Sequence, residues 1–276
     1  MNMGPINHKI GDDQMVPVKF REFKILLNPQ TEDSIVNILT NAYRLGYERL
    51  VIQFSKDKTR GIIEDLIKNR LIGLKLKLVE THKIVIEDIL KKPQSYHDYV
   101  LFKLLAKIDL LFNFNKNWHL ADKYSLETLE NQIQLWDNLS RRVIIRSNGP
   151  LFHLRLAFNT ELCHAQKEIY FALIELVRLV NPSKETLGLL ESSKEIYNLL
   201  KKAYVEESIA YLDRIHDLHK EIFAELGCPL LNNSNSNERV AIHHLLQAIR
   251  NLSMTTSPLI GLFMHNNLEA RFGGNK

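Results

Sequence analysis

Cysteine is scarce in this chain: two residues in 276, Cys163 and Cys228, with no CxxC pair and no Cys/His cluster at zinc-site spacing. A disulfide scaffold is therefore not expected, and a reduced cytoplasmic compartment is the simplest reading. No uninterrupted apolar run approaches the roughly 18 residues that a membrane-spanning helix needs, because charges recur throughout. The expectation is a soluble protein with no membrane insertion. A one-signed charge excess is also missing, since 36 basic and 32 acidic residues are interspersed and no long basic block occurs. Nucleic-acid binding is permitted by the net charge of +4 but not indicated by it. Neither GxGxxG nor GxxxxGK[ST] is present, and no G-x-S-x-G turn marks a nucleophile. Those gaps speak against nucleotide-cradling loops and serine-hydrolase chemistry.

What is present is an average globular composition, 45% apolar and 25% charged, sufficient for a sizeable core. The first fifteen residues are polar, with Gly4, Pro5, Gly11 and Asp12-Asp13, and read as a disordered tail. The periodicity changes near Pro93, which places a domain boundary there. Before it, Val18 to Leu27 and Arg49 to Phe54 read as strands. A helix capped by Thr31 carries Ile35, Ile38, Leu39 and Ala42 at helical spacing and stops at Gly46. A second helix runs from Lys56 to Leu71 and ends at Gly73. Leu74, Leu76 and Leu78 then alternate with Lys75 and Lys77, and Thr81-His82 turns the chain into a partner strand, Lys83 to Glu87. Residues 16–92 are thus expected to form a small α+β domain of order β-α-β-α-β-β.

Residues 95–276 read as an all-α antiparallel bundle. Amphipathic segments span Tyr99 to Phe112, Leu126 to Ile145, Phe152 to Val180, Lys184 to Leu226 with one break, and Glu238 to Ser253. Breaks are expected at Asn148-Gly149-Pro150, at Asn181-Pro182 and in a surface loop over Asn232 to Asn237.

The most distinctive segment is Leu212-Asp213-Arg214-Ile215-His216-Asp217. Two carboxylates at i and i+4 share a helix face, an arrangement that like-charge repulsion disfavours unless a cation is near. Two readings compete. Asp213, His216 and Asp217 offer hard carboxylate ligands and an imidazole, suited to iron, manganese or zinc. Equally, Arg214 and Lys220 stand three residues to either side of Asp217 and make an ordinary solvated charged face. A second pattern repeats an acid and a histidine at i, i+3, as Glu161/His164 and Asp213/His216. Ferritin-like di-metal bundles use that spacing together with glutamates from two further helices, here Glu130 and Glu238. Histidines at bundle edges with ordinary hydrogen bonds produce the same pattern.

Three segments in order, Ala42-Tyr43-Arg44-Leu45-Gly46-Tyr47 followed by Leu50-Val51-Ile52, then Arg70-Leu71-Ile72-Gly73-Leu74, then Leu212 to Asp217, resemble the archaeal branch of the PhoU-related phosphate uptake regulators. The resemblance runs from about Phe20 to Leu226. It implies a helical PhoU-like bundle, no catalysis, and action through protein partners such as a phosphate transporter subunit or a sensor kinase. It further implies that Asp213-x-x-x-Asp217 is the family's acid motif, whose counterpart on another helix is Asp137. Members commonly carry an AbrB-like DNA-binding hairpin ahead of the first segment. Here the first strand begins almost at once, so direct DNA binding is not expected. The α+β domain is expected to serve for dimerisation, giving a homodimer, or as a second docking surface. The competing classes are a ferritin-like di-metal enzyme using Glu161, His164, Asp213 and His216, and a transcription regulator with reduced DNA-binding apparatus.

Overall fold

A computed structural model describes residues 21–28, 31, 34–90, 96–114, 123–147, 149, 151–179, 181–234 and 236–272. The expected N-terminal tail, the start of the first strand and the boundary near Pro93 lie outside these residues.

The N-terminal part is a mixed four-stranded sheet carrying two helices. Its elements are β1 (Glu22–Leu26), α1 (Ile35–Arg44), β2 (Arg49–Gln53), α2 (Asp57–Arg70), β3 (Leu74–Glu80) and β4 (Lys83–Asp88). The strand order is β1-β2-β4-β3. β1 and β2 run parallel, which requires the crossover that α1 supplies, whereas β4 is antiparallel to both β2 and β3. Strand alternation decides the faces. Leu50 and Ile52 of β2 and Ile84 and Ile86 of β4 point inward, where Ile35, Leu39, Ala42 and Tyr43 of α1 and Ile63 and Leu66 of α2 bury against them. The opposite face carries a row of alternating charge, Glu22, Arg49, Glu87 and Lys75, in direct register across all four strands. Arg49 Nε lies 3.4 Å from Glu22 and 3.9 Å from Glu87. Cross-strand opposite charges favour this register.

Helix α1 starts later than the expected Thr31 cap, because Thr31 is engaged in a local turn. Its amide donates to Asn28 Oδ1 at 3.0 Å, and its hydroxyl accepts from the Asn28 amide at 3.0 Å. Ser34 holds the N-cap position instead. Gly46 ends the helix in the left-handed region (φ 81°), and a Cβ there would meet Arg146 Cγ at 2.9 Å. Backbone conformation and the approach of a distant helix therefore both require this glycine.

The rest of the described chain is mostly helical: α3 (His97–Asn113), α4 (Lys123–Ser147), α5 (Phe152–Arg178), α6 (Lys184–Glu206), α7 (Ile209–Glu221), a π-helical turn (Ile222–Gly227), α8 (Cys228–Asn233), α9 (Ser236–Met254) and α10 (Thr256–Phe272). Helices α5 and α9 form the most extensive pair, with α4 and α10 also on α5 and α6 on α9. Their shared core includes Leu162, Ile169, Leu173, Leu245, Ile249 and Leu252. The break expected between Lys184 and Leu226 falls at Glu207, which has left-handed φ 47° and ends α6. The expected loop over Asn232 to Asn237 is shorter than the polar run suggests: α8 continues to Asn233 and α9 begins at Ser236. Beyond the last expected helix the chain forms a further one, α10. Among the described residues no helix is long and apolar enough to cross a membrane.

Candidate functional site

Helix α7 presents the acid pair as its spacing requires. Leu212, Ile215 and Leu218 turn inward and are buried, so Asp213, His216 and Asp217 face outward and are exposed. Arg214 reaches along the helix to Glu221 rather than to Asp217, with Nη1 3.4 Å from the carboxylate. The His219 ring lies tilted against Phe223, with centroids 4.7 Å apart and an interplanar angle of 42°. Burial lowers the His219 pKa, and the neighbouring His216 and Arg250 push it the same way.

Asp137, the counterpart implied for the acid pair, does something else. It is 5% exposed and receives Arg141 Nε at 2.7 Å, Asn159 Nδ2 at 2.8 Å and Arg44 Nη2 at 3.1 Å. Arg44 belongs to α1, and its Nε also donates to Asn138 Oδ1 at 2.8 Å. Asp137 is therefore a fixed anion in the joint between the sheet layer and α4. Burial disfavours the charged guanidinium of Arg44, and its pKa is lowered although Asp137 opposes the shift. For Arg141 the net direction is the opposite: burial is again the largest single cause and would lower the pKa, but Asp137 and Cys163 together outweigh it and raise it.

One turn further along α4, Arg142 is fully buried. Its Nη1 donates to the Tyr43 carbonyl at 2.6 Å, and its Nη2 to the Tyr47 carbonyl at 2.9 Å and Asp88 Oδ2 at 2.7 Å. The guanidinium also sits 4.6 Å from the centroid of the Tyr43 ring. Arg146 bonds Asp88 as well and donates to Glu48 at 2.9 Å. A small apolar cluster of Val100, Leu139 and Val143, flanked by Ile72 and Leu90, seals the joint. These contacts tie α4 to α1, β4 and the turn after α1. They were not singled out from sequence, because partners 54 to 99 residues away leave no local spacing signal.

The alternative ligand set is similarly dispersed. Glu161 and His164 lie 3.8 Å apart on α5, whose main neighbours are α9, α4 and α10, whereas α7 packs on α6, α9 and α10. Glu130 and Glu238 are each occupied elsewhere. Glu130 accepts hydrogen bonds from Gln134 and Gln166. Burial raises its pKa, and these amides offset only part of the shift. Glu238, at the start of α9, accepts the Ser183 amide at 2.6 Å and the Thr186 hydroxyl at 2.7 Å, reinforcing the cap of α6. Burial would raise the Glu238 carboxyl, but these hydrogen bonds prevail and hold it below the usual glutamate range.

Among the described residues no group of three or more His, Cys, Asp or Glu side chains is placed to hold a metal ion. Asp213, His216 and Asp217 share one exposed turn, and Asp137 is committed to arginines. As placed, the four residues named for a metal do not fit a common site. Comparisons with family models, with curated proteins and with solved structures return no match.

Proposed function

We propose that this chain is a PhoU-like regulator of phosphate uptake and phosphate homeostasis, a cytoplasmic protein that acts through protein partners and does no catalysis itself. The observation that carries the reading is the exposed face of α7. Its apolar side is committed to the core, which leaves Asp213, Asp217 and Glu221 displayed at successive turns. The other two segments of the resemblance fall on α1 with its glycine stop and β2, and on the end of α2 running into β3. Both are joined to α4, through Arg44 to Asp137 and through the Arg70 carbonyl to Asn138 Nδ2 at 3.2 Å.

Charges displayed on a helix that cannot turn inward act on an incoming surface more than on the fold. Their reach in physiological salt is about 8 Å. Such a face sets the association rate and the choice of a partner with a basic surface. The polar joint at α4 holds the sheet layer against the helices, so both surfaces can engage a transporter subunit or sensor kinase as one body. The sheet layer serves as a second docking surface or as the dimerisation face of a homodimer.

The test is binding of the purified chain to the phosphate transporter's cytoplasmic subunit and to the phosphate sensor kinase over a salt series. Binding to one of them that weakens with salt, and is lost in Asp213→Lys/Asp217→Lys with an unchanged circular dichroism spectrum, is expected. Absence of binding to both at low salt would contradict the proposal.

A further inference from the structure

A cavity of about 290 Å³ opens where the first turns of α3 and α5, the end of α6 and the middle of α10 meet. It is distinct from the exposed face of α7 and from the joint at α4. Its size is at the lower edge for ligand pockets, which limits an occupant to a small molecule.

The walls divide into an apolar floor and three charges. Tyr204 anchors the floor: its ring stacks on Phe158 with centroids 5.7 Å apart and meets Phe102 edge-on at 6.2 Å. Leu262 and Phe263 of α10 are buried beside it. Asp98 is fixed in place, since its Oδ1 accepts from the Tyr204 hydroxyl at 2.9 Å and lies 3.1 Å from His97 Nδ1. His97 is buried, and burial lowers its pKa, so the imidazole is neutral near pH 7 and contributes no charge. Glu207 uses one carboxylate oxygen to accept from Asn266 Nδ2 at 3.0 Å. It is also the residue with left-handed φ outside glycine among those described, a conformation that persists in a non-glycine residue where the surroundings over-determine it.

Arg155 is the third charge. Its half-buried guanidinium lines the cavity. Among the described residues its side chain makes no hydrogen bond or ion pair, and its charge reaches Asp98, His97 and Tyr204 only as a longer-range Coulombic influence. Elsewhere in this molecule the inward-facing arginines, Arg44, Arg141, Arg142 and Arg146, are each tied to a carboxylate. An unpaired guanidinium over an apolar floor is a docking group for a planar anion.

The lining selects against simple ligands. A plain anion at Arg155 faces Asp98 and Glu207, and a plain cation faces Arg155. An uncharged apolar molecule would desolvate all three charges without pairing them. We propose that this cavity binds a free α-amino acid with an apolar side chain. Its carboxylate pairs with Arg155, its ammonium with the free oxygens of Asp98 and Glu207, and its side chain lies on Phe102, Leu262 and Phe263. Because α3, α5, α6 and α10 all contribute, the bound amino acid fastens together one end of the helical region.

The test is titration calorimetry and thermal unfolding of the full chain with L-leucine and L-phenylalanine, compared with isoamylamine, which is leucine without the carboxylate, and 4-methylpentanoate, which is leucine without the ammonium. The amino acids are expected to bind and raise Tm, and each single-charge analogue to bind at least about tenfold more weakly, the loss of one charge-assisted hydrogen bond. Arg155→Gln should weaken amino-acid binding by at least about tenfold while leaving the circular dichroism spectrum unchanged. Glu207→Gly gives a second, opposite readout: relief of the left-handed backbone raises Tm of the free protein, yet loss of the carboxylate weakens the amino acid. No binding of either amino acid at millimolar concentration would overturn the proposal. Equal binding of isoamylamine and L-leucine, or unchanged binding by Arg155→Gln, would overturn it as well.

Discussion

Replacing Arg142 by methionine probes the joint between the sheet layer and the helices. The guanidinium is fully buried and supplies three hydrogen bonds, to the Tyr43 and Tyr47 carbonyls and to Asp88. Methionine fills much of the apolar volume but leaves those acceptors behind. Removing one partner of a buried ion pair costs about 3–5 kcal/mol, and the lower end applies because Arg146 still pairs with Asp88. Two carbonyls left short of a donor add about 1 kcal/mol each. Release of the guanidinium's own desolvation penalty offsets part of the sum, which gives a loss of about 4 kcal/mol. Against a total stability of about 5–15 kcal/mol, that is a large fraction. Urea unfolding followed by far-UV circular dichroism measures it directly. Arg142→Met/Asp88→Asn should recover about 1–2 kcal/mol of the loss, because the second substitution removes the carboxylate that the first left under-neutralised. A loss below about 1 kcal/mol for Arg142→Met, or strict additivity of the pair, would refute the reasoning that this joint is held by a buried ionic network.

Glu238→Ala should destabilise the chain by about 1–2 kcal/mol, since it strips two hydrogen bonds from the start of α6. The Glu238 carboxyl is held below its ordinary value, so its contribution is complete above the usual glutamate pKa of about 4.3 and is lost as pH falls through the depressed native value. Unfolding midpoints measured from neutral pH downward should therefore converge for wild type and variant in acid. Tyr197→Phe removes a buried hydroxyl that donates to the Leu105 carbonyl at 2.7 Å, and thermal unfolding should register a loss of about 1–2 kcal/mol. Asp213→Ala/Asp217→Ala should leave the urea midpoint unchanged or slightly raised, because both side chains are exposed and repel one another. A clear drop would show that the pair supports the fold.

The architecture was legible wherever local pattern and local contact coincide. Alternation of Leu74, Leu76 and Leu78 with lysines marked β3, although a register shift between Leu76 and Leu78 leaves Leu78 exposed, and Gly46 and Gly73 marked helix stops, where both residues take φ 81°. Leu212, Ile215 and Leu218 oriented α7 and so placed Asp213 and Asp217 outward. Side chains whose partners the hydrophobic periodicity does not record were not legible, whether those partners lie three residues away or on another helix. Thr31 looks like a helix cap, but Asn28 captures it first. Glu130 and Glu238 look like ligand glutamates, and each instead serves an amide or hydroxyl on another helix. Asp137 looks like half of an acid motif, yet its charge is balanced by Arg44 from 93 residues away. Helix α10 escaped notice because Leu259, Ile260, Leu262, Phe263 and Met264 surround its axis rather than forming a single stripe. The cavity at Arg155 gathers residues from Asp98 to Asn266, and no spacing along the chain records that convergence.

The decisive measurement is the phosphate uptake rate and phosphate-responsive expression of a strain deleted for this gene, complemented with either the wild-type chain or Asp213→Lys/Asp217→Lys. The account predicts that deletion alters both, that wild type restores them, and that the folded charge-reversed chain does not. Uptake and expression unchanged by the deletion would contradict it.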